Sequence, residues 1–234
     1  MNFYLLEPRF EIYSLSHNLA IAIIFLGCIS LYFFRKKLSE TPKADLLFRG
    51  LLTAVLIGGE IILQYWYVST NQWKKEYSLP LQLCDFSIFA STLLLVTGYR
   101  KIFEIVYFTG IGGGLIAVLS PELWLGFPHF RYYHFFGVHA ALLWTGIYFI
   151  AVRNYTPSLK SLIRYIVFLN LFGAFVFCMN IILDANYMFI SKPTYNDTVL
   201  NHLGHYPWSL LSMEGLALLT GFILCLPFLD TKVS

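Results

Sequence analysis

Charge is scarce in this chain: only 12% of its 234 residues are Asp, Glu, Lys or Arg, against about 25% in an average soluble domain. With 58% hydrophobic residues, it holds more apolar surface than a water-soluble globule of this size could hide. Cysteine is sparse as well. Cys28, Cys84, Cys178 and Cys225 fall in or at the ends of four different hydrophobic segments and form no CxxC, which argues against a disulfide framework or a thiolate metal site. There is no helical HxxxH or HExxH, no long internal repeat and no extramembrane stretch long enough to be a domain. The missing repeat speaks against a transporter built from duplicated halves, and the lack of a basic aromatic platform leaves nucleic-acid binding without support. The first eighteen residues carry Glu7, Arg9 and Glu11 and lack a basic region followed by an apolar core. No cleavable signal is therefore expected, and the N-terminal segment is expected to stay on the mature protein.

What is present is apolar length. Continuous runs that do not alternate with period two recur along the chain, and a membrane helix needs about 17 to 25 such residues. The spans read as Asn18 to Phe34, Leu47 to Val68, Pro80 to Gly98, Lys101 to Leu119, Tyr132 to Val152, Leu162 to Asp184, and Trp208 to Leu229. The expected fold is an all-α polytopic membrane bundle of about seven helices, forming one integral membrane domain over residues 1–234. Arg35, Lys36, Lys37, Lys43, Arg49, Arg100, Lys101, Arg153, Lys160, Arg164 and Lys232 fall on one side, and Arg9, Lys74, Lys75, Arg131 and Lys192 on the other. The excess places the N-terminus outside and the C-terminus in the cytoplasm of a multi-pass cell-membrane protein. The net charge of +3 thus reports topology before any anionic ligand.

Gly110, Gly112, Gly113 and Gly114 in the fourth span suit close helix approach rather than a phosphate cradle. The sixth connection, Ala185 to Pro207, is the longest outer loop, and its prolines suit a lid or re-entrant cap. Trp73, Trp124, Tyr133 and Trp208 are among the rings expected at the headgroup layer.

Polar side chains in a bilayer ask for a partner or a water-filled cavity. At about 1.5 Å per residue, Glu60 lies roughly 12 Å below the outer end of the second span, with Gln64 one turn above. Cys84 and Asp85 fall near the outer start of the third span and His139 roughly 10 Å below the start of the fifth. Asn180 and Asp184 occupy the last outer turn of the sixth span, and Glu214 the second outer turn of the seventh. All six histidines (His17, His129, His134, His139, His202, His205) fall toward the same side. Glu104 reads as an interfacial partner of Arg100 and Lys101. The asymmetry points to one outward-opening polar cavity, the alternative being scattered polar glue between helices.

Cys84 stands near a helix N-terminus, whose partial positive charge favours a nucleophilic thiolate; Asp85 opposes that ionisation, and the plain alternative is a small apolar filler. His139, the deepest histidine, is the natural base; the alternative is a buried ring tied to Glu60 or Asp184. Arg131 and His129 at the mouth, beside Tyr133 and His134, could hold a phosphate head group or simply anchor the surface. Asn180, Gln64 or Tyr133 could donate to an oxyanion. A zinc site from His139, Asp85, Glu60 and the His202–His205 pair is a competing reading, and solute or lipid binding by Glu60, Asp85 and Glu214 without turnover is another.

Through Leu79-Pro80, Phe127-Pro128-His129-Phe130, Tyr133-His134, Asp184-Ala185-Asn186-Tyr187-Met188 and Gly204-His205-Tyr206-Pro207-Trp208, the chain resembles the bacterial YwaF-like integral membrane proteins, distant relatives of animal transmembrane protein 164. That resemblance implies a cysteine-dependent phospholipid acyltransferase without a cofactor, with the nucleophile at Cys84 and the base at His139. Its partner would be a membrane phospholipid or lysophospholipid.

Overall fold

A computed structural model describes residues 8–192 and 204–229. Among the described residues seven long helices follow one another: α1 (Leu15–Glu40), α2 (Pro42–Ser69), α3 (Leu83–Thr97), α4 (Arg100–Leu119), α5 (Phe130–Ala151), α6 (Leu159–Leu183) and α7 (Trp208–Cys225). Each expected span is present, and the ends differ by a few residues. Six of the helices are long and apolar enough to cross a membrane; α3, with 15 residues, is shorter. The all-helical, multi-pass architecture read from the apolar runs therefore stands.

Local chemistry sets the boundaries. Ser14 caps α1 by accepting from the His17 amide, and Pro42 opens α2 at a position where a missing N–H costs nothing. Gly98 ends α3 in the left-handed region at φ 65°, a conformation open to glycine at little cost. Ser158 and Ser161 cap the start of α6 reciprocally.

The bundle has a two-helix centre. The most apolar stretches of α4 and α5 are 56% and 61% buried, against 22% for α1 and α2 and 11% for α6 and α7. α5 packs on α1, α2, α3 and α4, while α4 packs on α3, α5, α6 and α7. Within α4, residues Tyr107–Gly113 wind as a π-helix, a form that recurs at functional sites. A Cβ on Gly110 would sit 3.2 Å from the Leu142 carbonyl oxygen of α5, so this glycine does serve close approach.

The basic end is tied by ion pairs. Asp45 accepts from the Tyr148 hydroxyl and pairs with Arg153 at 2.5 Å and Arg49 at 3.6 Å. Arg49 also donates to the Leu95 and Val96 carbonyls at the end of α3. Glu104 pairs with Arg164 of α6 at 2.5 Å, a partner across the bundle instead of the expected Arg100 or Lys101 on its own helix, because α4 and α6 lie side by side here.

At the opposite end the chain before α1 pairs with the segment after α4, through the Phe10 amide to the Trp124 carbonyl at 2.9 Å and the Gly126 amide to the Pro8 carbonyl at 2.8 Å. His17 beneath it is fully buried. Its Nδ1 accepts from the Tyr13 amide at 2.9 Å and its Nε2 donates to the Val118 carbonyl at 2.8 Å. Both nitrogens are spent on structure, so this histidine is a tie between α1 and α4. His17→Ala is expected to cost about 1 to 3 kcal/mol by orphaning two backbone groups, read as a lower melting temperature of the purified protein.

Candidate functional site

The segment 79–82 bends before α3, with the Leu81 amide bonded to the Leu79 carbonyl at 2.8 Å. The Leu79 amide donates to the Tyr187 hydroxyl at 2.9 Å, and Gln82 Oε1 accepts from the Met188 amide at 2.8 Å. Pro80 was expected in the first helical turn; these two bonds keep it outside, and α3 begins at Leu83 with Gln82 as its cap. Asp85 Oδ2 accepts from the Gln82 amide at 2.9 Å, completing the capping box. Cys84 is thereby the second residue of the helix.

The late start also sets its depth. At 1.5 Å per residue, Cys84 stands about 20 Å along α3 from Thr97, and His139 about 18 Å along α5 from Ala151. The lower ends of these helices are held level where the Tyr155 hydroxyl donates to the Gly98 carbonyl at 2.6 Å. Glu60 stands about 22 Å along α2 from Asp45, which is itself paired to Arg153 just below α5. Three helices thus bring Cys84, His139 and Glu60 to one level.

All three border a cavity of about 840 Å³, in the upper part of the ligand-site range of about 300 to 1,000 Å³. From α2, α3 and α5 come Glu60 and Gln64, Cys84 and Asp85, and Arg131, His134 and His139. The Cys84 thiol donates to Asp85 Oδ1 at 3.8 Å. His139 Nδ1 bonds the Phe135 carbonyl at 2.8 Å; a carbonyl only accepts, so Nδ1 carries the proton and Nε2 keeps its lone pair. This carbonyl, rather than Glu60 or Asp184, is the partner of the ring. Gln64 donates to Glu60 Oε1 at 2.9 Å and to the Ser78 carbonyl at 2.8 Å, and accepts from Trp73. The second Glu60 oxygen is buried without a protein partner, as is the Thr109 hydroxyl. Arg131 lies within electrostatic reach of Asp85, His134 and His139, with its guanidinium 5.6 Å from the Tyr67 ring centre.

Glu214 also borders the cavity, held by Asn170 at 2.8 Å. Four expected residues stand elsewhere. Tyr133 is exposed and packs edge-on against Phe127 and Tyr132, since one helical step turns it away from Tyr132 and His134. His129 caps α5 by accepting from the Arg131 amide. Asn180 is buried in a knot, bonding the Tyr187 amide and carbonyl and Ser191. Asp184 ends α6 in the left-handed region and meets exposed Lys192 at 3.8 Å. Burial pushes the Tyr187 phenol up to about 12, which keeps the hydroxyl protonated to donate to the Lys75 carbonyl while accepting from Leu79. The long sixth connection opens with this knot; residues 193–203, His202 among them, on which the expected lid or re-entrant cap falls, lie outside the described residues, and His205 is exposed. Among the described residues no three His, Cys, Asp or Glu side chains group as metal ligands.

Tyr67, Ser78, Gln82, Thr109, Tyr165 and Asn170 also line the cavity. Sequence reasoning passed over them because polar residues that tolerate a bilayer interface carry no distinctive spacing. The one available signal was Thr109 beside the glycine run.

No curated protein and no solved structure matches this chain. A family model described as the TMEM164 family matches residues 12–225.

Proposed function

This chain belongs to the TMEM164 family, and we propose that it is a lipid acyltransferase or acyl hydrolase embedded in the cell membrane, acting on outer-leaflet phospholipid through Cys84 and His139. The observation that carries the reading is that these two side chains, from different helices, border one cavity at one level, with His139 Nε2 holding a free lone pair. In the first step His139 takes the thiol proton while sulfur attacks the ester carbonyl carbon. The carbon–sulfur bond forms, the ester carbon–oxygen bond breaks, and the departing lysolipid oxygen receives the proton from His139. A second lysolipid hydroxyl, or water, then attacks the thioester and returns the thiol. Arg131 at the mouth suits a phosphate group, and Glu60, with one oxygen unpartnered, suits the hydroxyl of the acceptor.

No hydrogen bond joins Cys84 to His139, and the thiol is turned to Asp85. That favours, as a second reading, lipid binding without turnover. The trial is direct. Protein in lipid bilayers containing radiolabelled phosphatidylcholine is expected to acquire a hydroxylamine-labile acyl label on the Cys84 peptide, chased off by lysophosphatidylcholine. Bound but intact lipid, with no thioester, would decide for the second reading.

A further inference from the structure

We infer that the α4 and α6 walls of the cavity form an acyl-chain seat, in which Gly113 and Gly173 set the length and girth of chain that the protein accepts. The inference deepens the lipid reading above and rests on it. Packing explains only part of the glycine run in α4. A Cβ on Gly110 or Gly114 would press on Leu142 or Leu143 of α5 at 3.2 Å, whereas one on Gly113 meets nothing within 4 Å. The same holds for Gly173 of α6, and both glycines border the cavity.

Protein interiors close such gaps, because unfilled space forfeits dispersion contacts. Here the space persists between apolar side chains, Ile116, Ala117, Leu169, Ala174, Leu216 and Ala217. Both glycines stand about 20 Å from the basic ends of their helices, the level reached by Cys84. A second observation points to an occupant. The Thr109 hydroxyl in the π-helical stretch is 3% exposed, borders the cavity and has no partner. Glu60, Gln64, Asp85, Arg131 and His134 share α2, α3 and α5 with Cys84 and His139, so an ester at Cys84 leaves α4 and α6 for its chain, and the Asn170–Glu214 pair on that side is closed by its own hydrogen bond.

The test uses the full chain in bilayers containing lauroyl, palmitoyl or arachidoyl phosphatidylcholine. Gly113→Leu and Gly173→Leu are each expected to lower the long-to-short chain preference by about tenfold or more, the scale set by small changes of pocket volume. Unchanged preference in both variants, with wild-type melting, overturns the seat. Should leucine prevent folding, a phosphatidylcholine bearing a diazirine at the chain end, photolysed in the Cys84→Ala protein, decides instead. Labelling on the peptides around Gly113 and Gly173 supports the seat; labelling confined elsewhere overturns it. Chain labelling there without any thioester on the wild-type Cys84 keeps the seat and sinks the catalytic reading. A thioester with no change in preference and no labelling does the reverse.

Discussion

Cys84→Ala is expected to remove acyl transfer to background while leaving bound lipid and melting temperature near wild type. The thiol makes one weak bond, to Asp85, and alanine is nearly its size, so little stability is lost with it. His139→Gln should slow thioester formation by about 10² to 10⁴-fold, the range of a general base. Its acyl label would accumulate slowly on Cys84 and recover as pH rises, because hydroxide can substitute for the missing imidazole. The readout is the initial rate of hydroxylamine-labile labelling from radiolabelled phosphatidylcholine. Labelling that persists in Cys84→Ala would place the chemistry on another residue.

Asp45→Ala is expected to have the largest effect on stability. It removes one carboxylate shared by three partners: the Tyr148 hydroxyl loses its acceptor, Arg153 keeps only its bond to Tyr148, and Arg49 keeps the Leu95 and Val96 carbonyls. Breaking a buried pair costs about 3 to 5 kcal/mol; Arg153 is 39% exposed, and water recovers part of that, so about 2 to 4 kcal/mol is expected. Asp45→Asn should recover part of the loss by keeping an acceptor for Tyr148. Thermal unfolding in detergent separates the three proteins, and acyl transfer at low temperature should survive in all of them, since the latch lies some 20 Å from Cys84 by helix rise.

Helix number was legible because continuous apolar runs about 20 residues long have one inexpensive solution in lipid, a hydrogen-bonded helix. Which helices sit centrally was less so: α5 has the lowest mean hydropathy of the six long spans, 1.4, yet it is the most buried, because its neighbours are protein. The convergence of Glu60, Asp85, Cys84 and His139 was readable from depth alone. Side-chain direction was not: Tyr133 and His134 are adjacent in sequence, but only His134 faces the cavity. Asn180 looked like an oxyanion donor by level, and its bonds to Tyr187 depend on a turn that no periodicity signals. Nor does spacing reveal the π-helix, in which glycines of similar appearance divide between contact and open space.

The brevity of α3 also reaches into the lipid around it. Fifteen residues rise about 22 Å, against a hydrocarbon core of about 30 Å, and Phe89, Leu93 and Val96 leave one flank of the helix to the surroundings. A bilayer meeting so short an apolar wall thins to match it. The resulting dimple would draw the glycerol-ester belt of nearby phospholipids down toward Cys84, and on the proposed acyl-transfer reading the membrane itself would bring the ester to the depth of the thiol.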